Sequence, residues 1–276
     1  MKISGGSSPR EPAAETAAEA EERLRHGSSF GAVAAAYADH RPGYADDAIR
    51  WCLSPAGQAP RVADLGAGTG ILTAALLRLD ADVTAVEPDP HMLAELRRRV
   101  PRARSVAGSA EDMPLPDGSV DAVLAGQAMH WFDLDRAMPE IARVLVPGGV
   151  FAALWNVDDD RVGWVEELAE LCRRKSSSTL LRWKRGLGQA REEQLARAAA
   201  GRFGAVEAAR FPNGQVRTAD SLVATIATHS HLLVMDEAER SVLLAQVSDF
   251  LHAQPETSRG EFTLPMLTVA LRIRRS

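Results

Sequence analysis

The chain has 276 residues, 46% of them hydrophobic, which suffices for one large core or a core with a cap. A net charge of −5 and a pI near 5.8 argue against a nucleic-acid-binding surface, which would show a basic stripe. Cys52 and Cys172 stand far apart without metal-ligand spacing, no apolar run approaches a membrane span, and MKISGGSSPR lacks the apolar stretch of a secretion signal. A reduced, cytoplasmic protein is expected.

Residues 1–26 are rich in Ala, Glu, Ser, Gly and Pro and predict a disordered or frayed tail. Phe30–Leu53 reads as two short helices broken at Arg41-Pro42-Gly43, a helical lid within 27–55. The stretch RVADLGAGTG (Arg61–Gly70) predicts a buried strand with Asp64 near its end, then a tight turn through Gly66, Gly68 and Gly70 into a helix, Ile71–Leu79. Glycines there let backbone N–H groups approach a ligand with no Cβ in the way. A dinucleotide fingerprint needs a further glycine where Ile71 stands, and no Lys-Ser/Thr pair follows, so neither NAD, FAD nor a P-loop is expected. An Asp before the first glycine suits a ligand with an amine and a sulfonium better than one with phosphates. A second strand, Asp82–Val86, leads to Glu87, placed to accept both hydroxyls of a ribose.

Helix His91–Val100, strand Arg104–Ala107, strand Val120–Leu124, helix Asp135–Leu145 and strand Val150–Trp155 continue the alternation, with a tight turn at Pro147-Gly148-Gly149. The basic cluster Arg97–Arg99 reads as a solvated helix edge. Such alternation predicts an α/β fold, a doubly wound parallel sheet with right-handed crossovers. After Trp155 come helices Trp164–Arg174 and Arg191–Ala200, strand Ala205–Phe211, helices Ala219–Met235 and Asp236–Ala253, and a last strand, Glu261–Arg272. Within SLVATIATHSHLLV, Leu222, Ile226, His229 and Leu233 share one helical face, and His231 points to a roughly opposite side.

The segments DLGAGTG, VEPD, GSAEDMPLPDGSVDAV and LVPGGVFAALW stand in that order. With them, from Phe30 to Trp155, the chain resembles the class I S-adenosylmethionine (SAM)-dependent methyltransferases, in the small-molecule group of methyltransferase type 11 and trans-aconitate methyltransferase-like proteins. The resemblance implies a seven-stranded, mostly parallel Rossmann-like sheet whose last two strands form a hairpin that adds an antiparallel edge. The SAM-binding core would span 56–157, and helical cap insertions with the last strands 158–276. It implies SAM as cofactor, S-adenosylhomocysteine as product and no metal. The cofactor would lie on Asp64, Gly66, Ala67, Gly68 and Gly70, on Glu87 and Pro88, on Ser109, Ala110 and Glu111 beside the adenine, and on Gln127.

FGAVAAAYADHRPGYADDAI resembles the segment that folds over the cofactor in that group, which points to Tyr37, Arg41 and Tyr44. Arg41 is placed to pair with the SAM carboxylate through two parallel hydrogen bonds. GQAMHWFD resembles an aromatic-rich loop after the fourth strand, where His130 and Trp131 either wall the methyl site or pack the loop. A D/N-P-P-Y/F loop, which marks methylation of exocyclic amines in nucleic acid, does not stand there. A cap above the strand ends would add Trp155, Ile226 and His231 to the acceptor site. His229, with Tyr37 as its partner, is the expected general base or orienting group. Where the group commonly carries Arg-Ser-aromatic, this chain has His229-Ser230-His231, which shifts the expected acceptor from a tricarboxylate toward a neutral aromatic or heteroaromatic metabolite. A carboxylate O-methyltransferase using Arg182 and Arg185 as anion anchors is the second reading, and a catalytically silent SAM-binding regulator the third. The expected partner is a small-molecule acceptor, with neither nucleic acid nor membrane; a homodimer stays open.

Overall fold

From Asp46 onward, runs of small and β-branched apolar residues alternate with amphipathic stretches, and each run pairs with its neighbours in a single sheet. The computed structural model describes residues 42–174, 187–227, 232 and 235–276. Helix α1 (Asp46–Leu53) buries Ala48, Ile49, Cys52 and Leu53, with Asp46 and Asp47 at its positive end and Arg50 in its last turn. Then come β1 (Arg61–Leu65), α2 (Ile71–Arg78), β2 (Asp82–Glu87), α3 (Pro90–Arg99), β3 (Arg104–Ala107), β4 (Val120–Gly126), α4 (Leu134–Val144) and β5 (Leu145–Asp158). The second half adds α5 (Gly163–Arg174), α6 (Leu187–Ala199), β6 (Glu207–Arg217), α7 (Ala219–Ala227), α8 (Glu237–Ala253) and β7 (Phe262–Arg274).

The seven strands lie in the order β3-β2-β1-β4-β5-β7-β6. Strands β1 to β5 pair in parallel, whereas β7 runs antiparallel to both β5 and β6. The order reverses between β1 and β4, the place where open α/β sheets form a ligand crevice at their carboxyl ends. Register keeps those ends level: Asp64 of β1 faces Ala85 of β2 on one side and Leu124 of β4 on the other.

Side-chain alternation along β5 divides the core. Phe151, Ala153 and Trp155 join Leu65, Met138, Ile141 and Leu195 on one face. Val150, Ala152 and Leu154 join Ile49, Cys52, Leu72 and Leu76 on the other. A third apolar cluster gathers Trp164, Val165 and Leu168 of α5, Leu222 and Ile226 of α7, and Leu243, Val247 and Leu251 of α8 around the start of β7.

Two expectations change. Helix α6 belongs to the layer covering the sheet and not to the cap, because Leu195 and Ala199, one turn apart, both enter the first core. The last two strands do pair antiparallel, but α7 and α8 separate them in sequence, so they form no tight hairpin. Cys52 is a core residue, its thiol pushed up to about 12 by burial, and Cys172 is half-buried. Among the described residues, no helix is long and apolar enough to cross a membrane.

Arg272 of β7 ties α1 to the antiparallel edge. Its guanidinium lies 4.0 Å from the Trp51 ring centroid and donates to the Trp51 carbonyl at 2.5 Å, to Ser54 Oγ at 2.8 Å and to Glu207 Oε2 at 2.7 Å. Hydrogen bonds from a charged donor contribute roughly 1.5–3 kcal/mol each when little exposed. Arg272→Met should lower the unfolding free energy by about 2 kcal/mol or more on that scale, and Arg272→Lys should recover under half, since an ammonium cannot fork. Chemical denaturation of the three proteins checks both.

Candidate active site

The turn after β1 is pulled across onto β2: Gly66 and Ala67 donate their N–H groups to the Val86 carbonyl at 2.9 and 3.1 Å. A Cβ on Gly66 would stand 2.7 Å from Ala128 Cβ, and one on Gly70 would stand 2.9 Å from Val100 Cγ2. Those two glycines therefore allow close packing of the loop after β4 and of the end of α3. Gly68 is different. Its φ of +56° favours glycine, yet no atom lies within 4 Å of where a Cβ would be. The space beside it is open.

The Gly68 N–H donates to Glu87 Oε2 at 2.8 Å, and the Asp89 N–H donates to Glu87 Oε1 at 2.9 Å. Glu87, only 6% exposed, is thus aimed by two backbone donors, each of which leaves its oxygen a second lone pair. Burial pushes its carboxyl above the usual range. Asp89 in turn caps α3, accepting from the N–H groups of His91 and Met92, and Pro88 between them is exposed.

Asp64 departs from its expected place. Its side chain is buried: Oδ2 accepts from the Thr73 hydroxyl at 2.5 Å, and Oδ1 has no partner among the described residues. Desolvation pushes its carboxyl up to about 7, opposed by the Thr73 hydrogen bond and reinforced by the charge of Glu87. Asp64 thus ties the end of β1 to α2.

Beside β2, the chain leaving β3 makes a small turn. The Ser109 N–H donates to the Asp112 carbonyl at 3.2 Å, and Ser109 Oγ accepts the Glu111 N–H at 3.2 Å. Ala110 is buried, and its N–H takes no part in those bonds. Glu111 Oε1 accepts the Asp133 N–H at 2.9 Å, at the start of α4, so Glu111 anchors this turn to the loop after β4.

That loop opens with Gln127 at φ +56°, a left-handed conformation that costs a non-glycine residue on the order of 1–3 kcal/mol. It is held there by its N–H to the Leu154 carbonyl at 2.8 Å and its Nε2 to the Asn156 carbonyl at 3.2 Å. His130 and Trp131 follow, both half-buried, with ring centroids 4.7 Å apart and planes tilted by 42°. Tyr44 completes the group. A Cβ on Gly126 would stand 2.6 Å from the Tyr44 hydroxyl, so the tyrosine rests on the bare backbone at the end of β4.

Two expected acceptor residues fall elsewhere. Trp155 is 3% exposed on the opposite face of the sheet from Tyr44, by the alternation of β5, with the Arg191 guanidinium 4.4 Å from its ring centroid. Ile226 is buried in the cap's own apolar cluster, because its face of α7 packs toward α8 and α5. Tyr37, Arg41, Arg182, Arg185, His229 and His231 lie outside the described residues. Sequence reasoning missed Asn156, an asparagine at the end of an otherwise apolar strand. Among the described residues, no group of three His, Cys, Asp or Glu stands ready to hold a metal ion.

The fold and the site define a nucleoside-binding α/β enzyme of the methyltransferase type, and the comparisons agree. The family described as "Methyltransferase domain" matches residues 63–153. An uncharacterized methyltransferase of Mycobacterium tuberculosis is 38% identical over 245 residues, covering 88% of this chain and 94% of its own. A methyltransferase-like protein of Schizosaccharomyces pombe is 31% identical over 208 residues, covering 72% and 76%. The structure of a protein designated a type II methyltransferase, from Anaeromyxobacter dehalogenans, superposes with a TM-score of 0.67 at 27% identity, covering 85% of this chain and 97% of its own. The chain belongs to the class I SAM-dependent methyltransferases.

The residues present fit SAM. Gly68 leaves room for it, Glu87 offers lone pairs to a ribose diol, and two carboxyls that resist ionisation favour a cationic ligand over a phosphate. This gives a pH dependence. Between about pH 4 and 7 the folded protein keeps a proton on Asp64 that the unfolded chain has lost, so stability falls as pH rises across that window. Asp64→Asn removes the term. Its melting temperature, relative to the unaltered ligand-free protein, should therefore climb from pH 5 to pH 8; a constant difference would show that Asp64 is ionised throughout.

Proposed function

We propose that this methyltransferase acts on a small, neutral aromatic or heteroaromatic acceptor of indole or phenol type. The observation that carries the reading is Tyr44 seated against Gly126 at the carboxyl end of β4, with the His130–Trp131 ring pair in the loop that follows. When bound, SAM would supply an electrophilic methyl on its sulfonium, which would pass in line to the acceptor atom with S-adenosylhomocysteine as the leaving group. The chain's own part is placement. Glu87 takes the ribose hydroxyls, the Ala110 N–H meets an edge of the adenine, and the His130–Trp131 pair offers faces on which a flat acceptor stacks. Fixing two reactants in this way offsets about 7–11 kcal/mol of barrier, so a site of this kind works without a dominant catalytic group. Where the acceptor must lose a proton, His229 with Tyr37 is the proposed base.

Incubation of the protein with methyl-labelled SAM and a panel of indoles, phenols and small carboxylic acids tests this. Transfer to the aromatic compounds is expected; transfer confined to the acids overturns the acceptor class in favour of methyl-ester formation. With an active acceptor in hand, Trp131→Ala should raise its KM at least fivefold while leaving S-adenosylhomocysteine affinity unchanged. Glu87→Gln keeps one acceptor for the backbone donors but loses its charge and half its ribose capacity. A charged hydrogen bond contributes roughly 1.5–3 kcal/mol, so calorimetry should show S-adenosylhomocysteine binding about tenfold or more weaker.

A further inference from the structure

Three polar side chains on three adjacent strands continue the face of the sheet that α1 covers. On β5, Val150, Ala152 and Leu154 point into that face, and alternation puts Asn156 next in line. Thr268 of β7 is its direct cross-strand partner. Asn213 of β6 comes two residues after Phe211, the partner of Thr268 on the far side. Their bonds converge on the chain segment that carries Tyr44. Asn156 Nδ2 donates to the Pro42 and Gly43 carbonyls at 3.2 and 3.0 Å. Asn213 Nδ2 donates to the Gly43 carbonyl at 2.9 Å and to Asn156 Oδ1 at 3.0 Å. Thr268 Oγ1 donates to Asn156 Oδ1 at 2.7 Å and accepts the Ala45 N–H at 3.1 Å.

Every donor in this set has an acceptor, and each group's role is fixed by the next. Asn156 Oδ1 receives two donors while its amide nitrogen faces two carbonyls, so no other orientation of that side chain satisfies its neighbours. Thr268 is fully buried, so its hydroxyl has no water to replace a lost partner. The same Asn156 accepts, through its backbone carbonyl, the Gln127 amide that helps hold the left-handed start of the loop after β4. One residue therefore joins the strap over the end of β4 to the loop beneath it.

We propose that Asn156 is a positioning residue, which with Thr268 and Asn213 locks the Pro42–Ala45 strap so that Tyr44 is seated on Gly126 and closes the cofactor and acceptor chamber. This rests on the SAM-site reading above for its effect on ligand, and on geometry alone for the lock. Asn156 touches no reacting atom; it acts through Tyr44 and Gln127.

The test uses the full chain and two readouts. Asn156→Asp preserves shape and the acceptor oxygen but turns an oxygen toward the two strap carbonyls. Hydrogen–deuterium exchange over residues 43–48 should rise at least fivefold in Asn156→Asp and in Thr268→Val, with exchange in β1 and β4 unchanged. S-adenosylhomocysteine affinity by calorimetry should fall at least fivefold in Asn156→Asp, but less than twofold when the same change is made in Tyr44→Ala, since the strap then has nothing to position. Equal losses in both backgrounds would reduce Asn156 to a general structural role, and unchanged exchange would remove the lock altogether. If the unaltered protein fails to bind S-adenosylhomocysteine, the SAM-site reading falls while the exchange data still decide the lock. Should Asn156→Asp not fold, Asn213→Ala on the edge strand removes one of the two amides at Gly43 and carries the same comparison.

Discussion

A carboxylate buried at the end of a strand must be surrounded by donors, and Glu87 finds them on both sides of the crevice. The Gly68 and Asp89 N–H groups both point at it, so one side chain fixes the turn after β1 and the start of α3 together. The Val86 carbonyl, one residue earlier, receives Gly66 and Ala67, which brings the same turn down onto β2. With the turn set, Gly66 offers a surface without Cβ to Ala128, and the loop after β4 seats against it. A ligand cradle made from three separate loops thus depends on the hydrogen-bonding needs of one acid. Removing that acid would leave two half-buried backbone donors without their acceptor at once.

The period of two along the strands decides which side of the sheet closes the crevice. Leu72, Leu124 and Leu154 belong to the face covered by α1 and α2, and Gly126 and Asn156 follow on that face one step beyond Leu124 and Leu154. Tyr44 reaches the crevice from there. Trp155, one residue before Asn156, points the other way and becomes core under α4 and α6. An antiparallel β7 next to β5 is what makes the α1 side closable, because it places Thr268 beside Asn156, where otherwise β5 would be an open edge.

The parallel half of the fold was legible because its signals are local. Arg61–Leu65 and Arg104–Ala107 have the predicted bounds, and the glycine turn and Glu87 fall where spacing put them. The antiparallel half was less so. The expected strand, Ala205–Phe211, stops before Pro212, yet β6 runs on through Pro212-Asn213-Gly214 to Arg217, since an edge strand tolerates a proline and β7 supplies the pairing. The two donors to Asn156 Oδ1 lie 57 and 112 residues away, and no local pattern announces them. Ile226 failed for a related reason. An apolar helical face shows that something will be buried, not whether the partner is a ligand or another helix, and here α5 and α8 provided the partner.

Asp64 shows where motif reading and physical placement part. A carboxylate before the first glycine invites a direct contact with a cationic ligand, but this one is buried, and its Oδ1 finds no donor among the described residues. Burial without a partner is unfavourable for an ionised acid, and the carboxyl responds by holding its proton up to about pH 7. Thr73 offsets part of that cost and in doing so ties β1 to α2, so the acid has a structural role even with no ligand near it. Glu87 lies close enough to raise the Asp64 carboxyl further, which makes the two acids compete for charge in the same crevice. A positive group brought to the open side of Gly68 would relieve both at once, whereas a phosphate would meet two acids already reluctant to ionise. Among the described residues, two buried carboxyls short of compensating charge thus make this crevice better suited to a positive group than to a phosphate, without any salt bridge having to be built in advance.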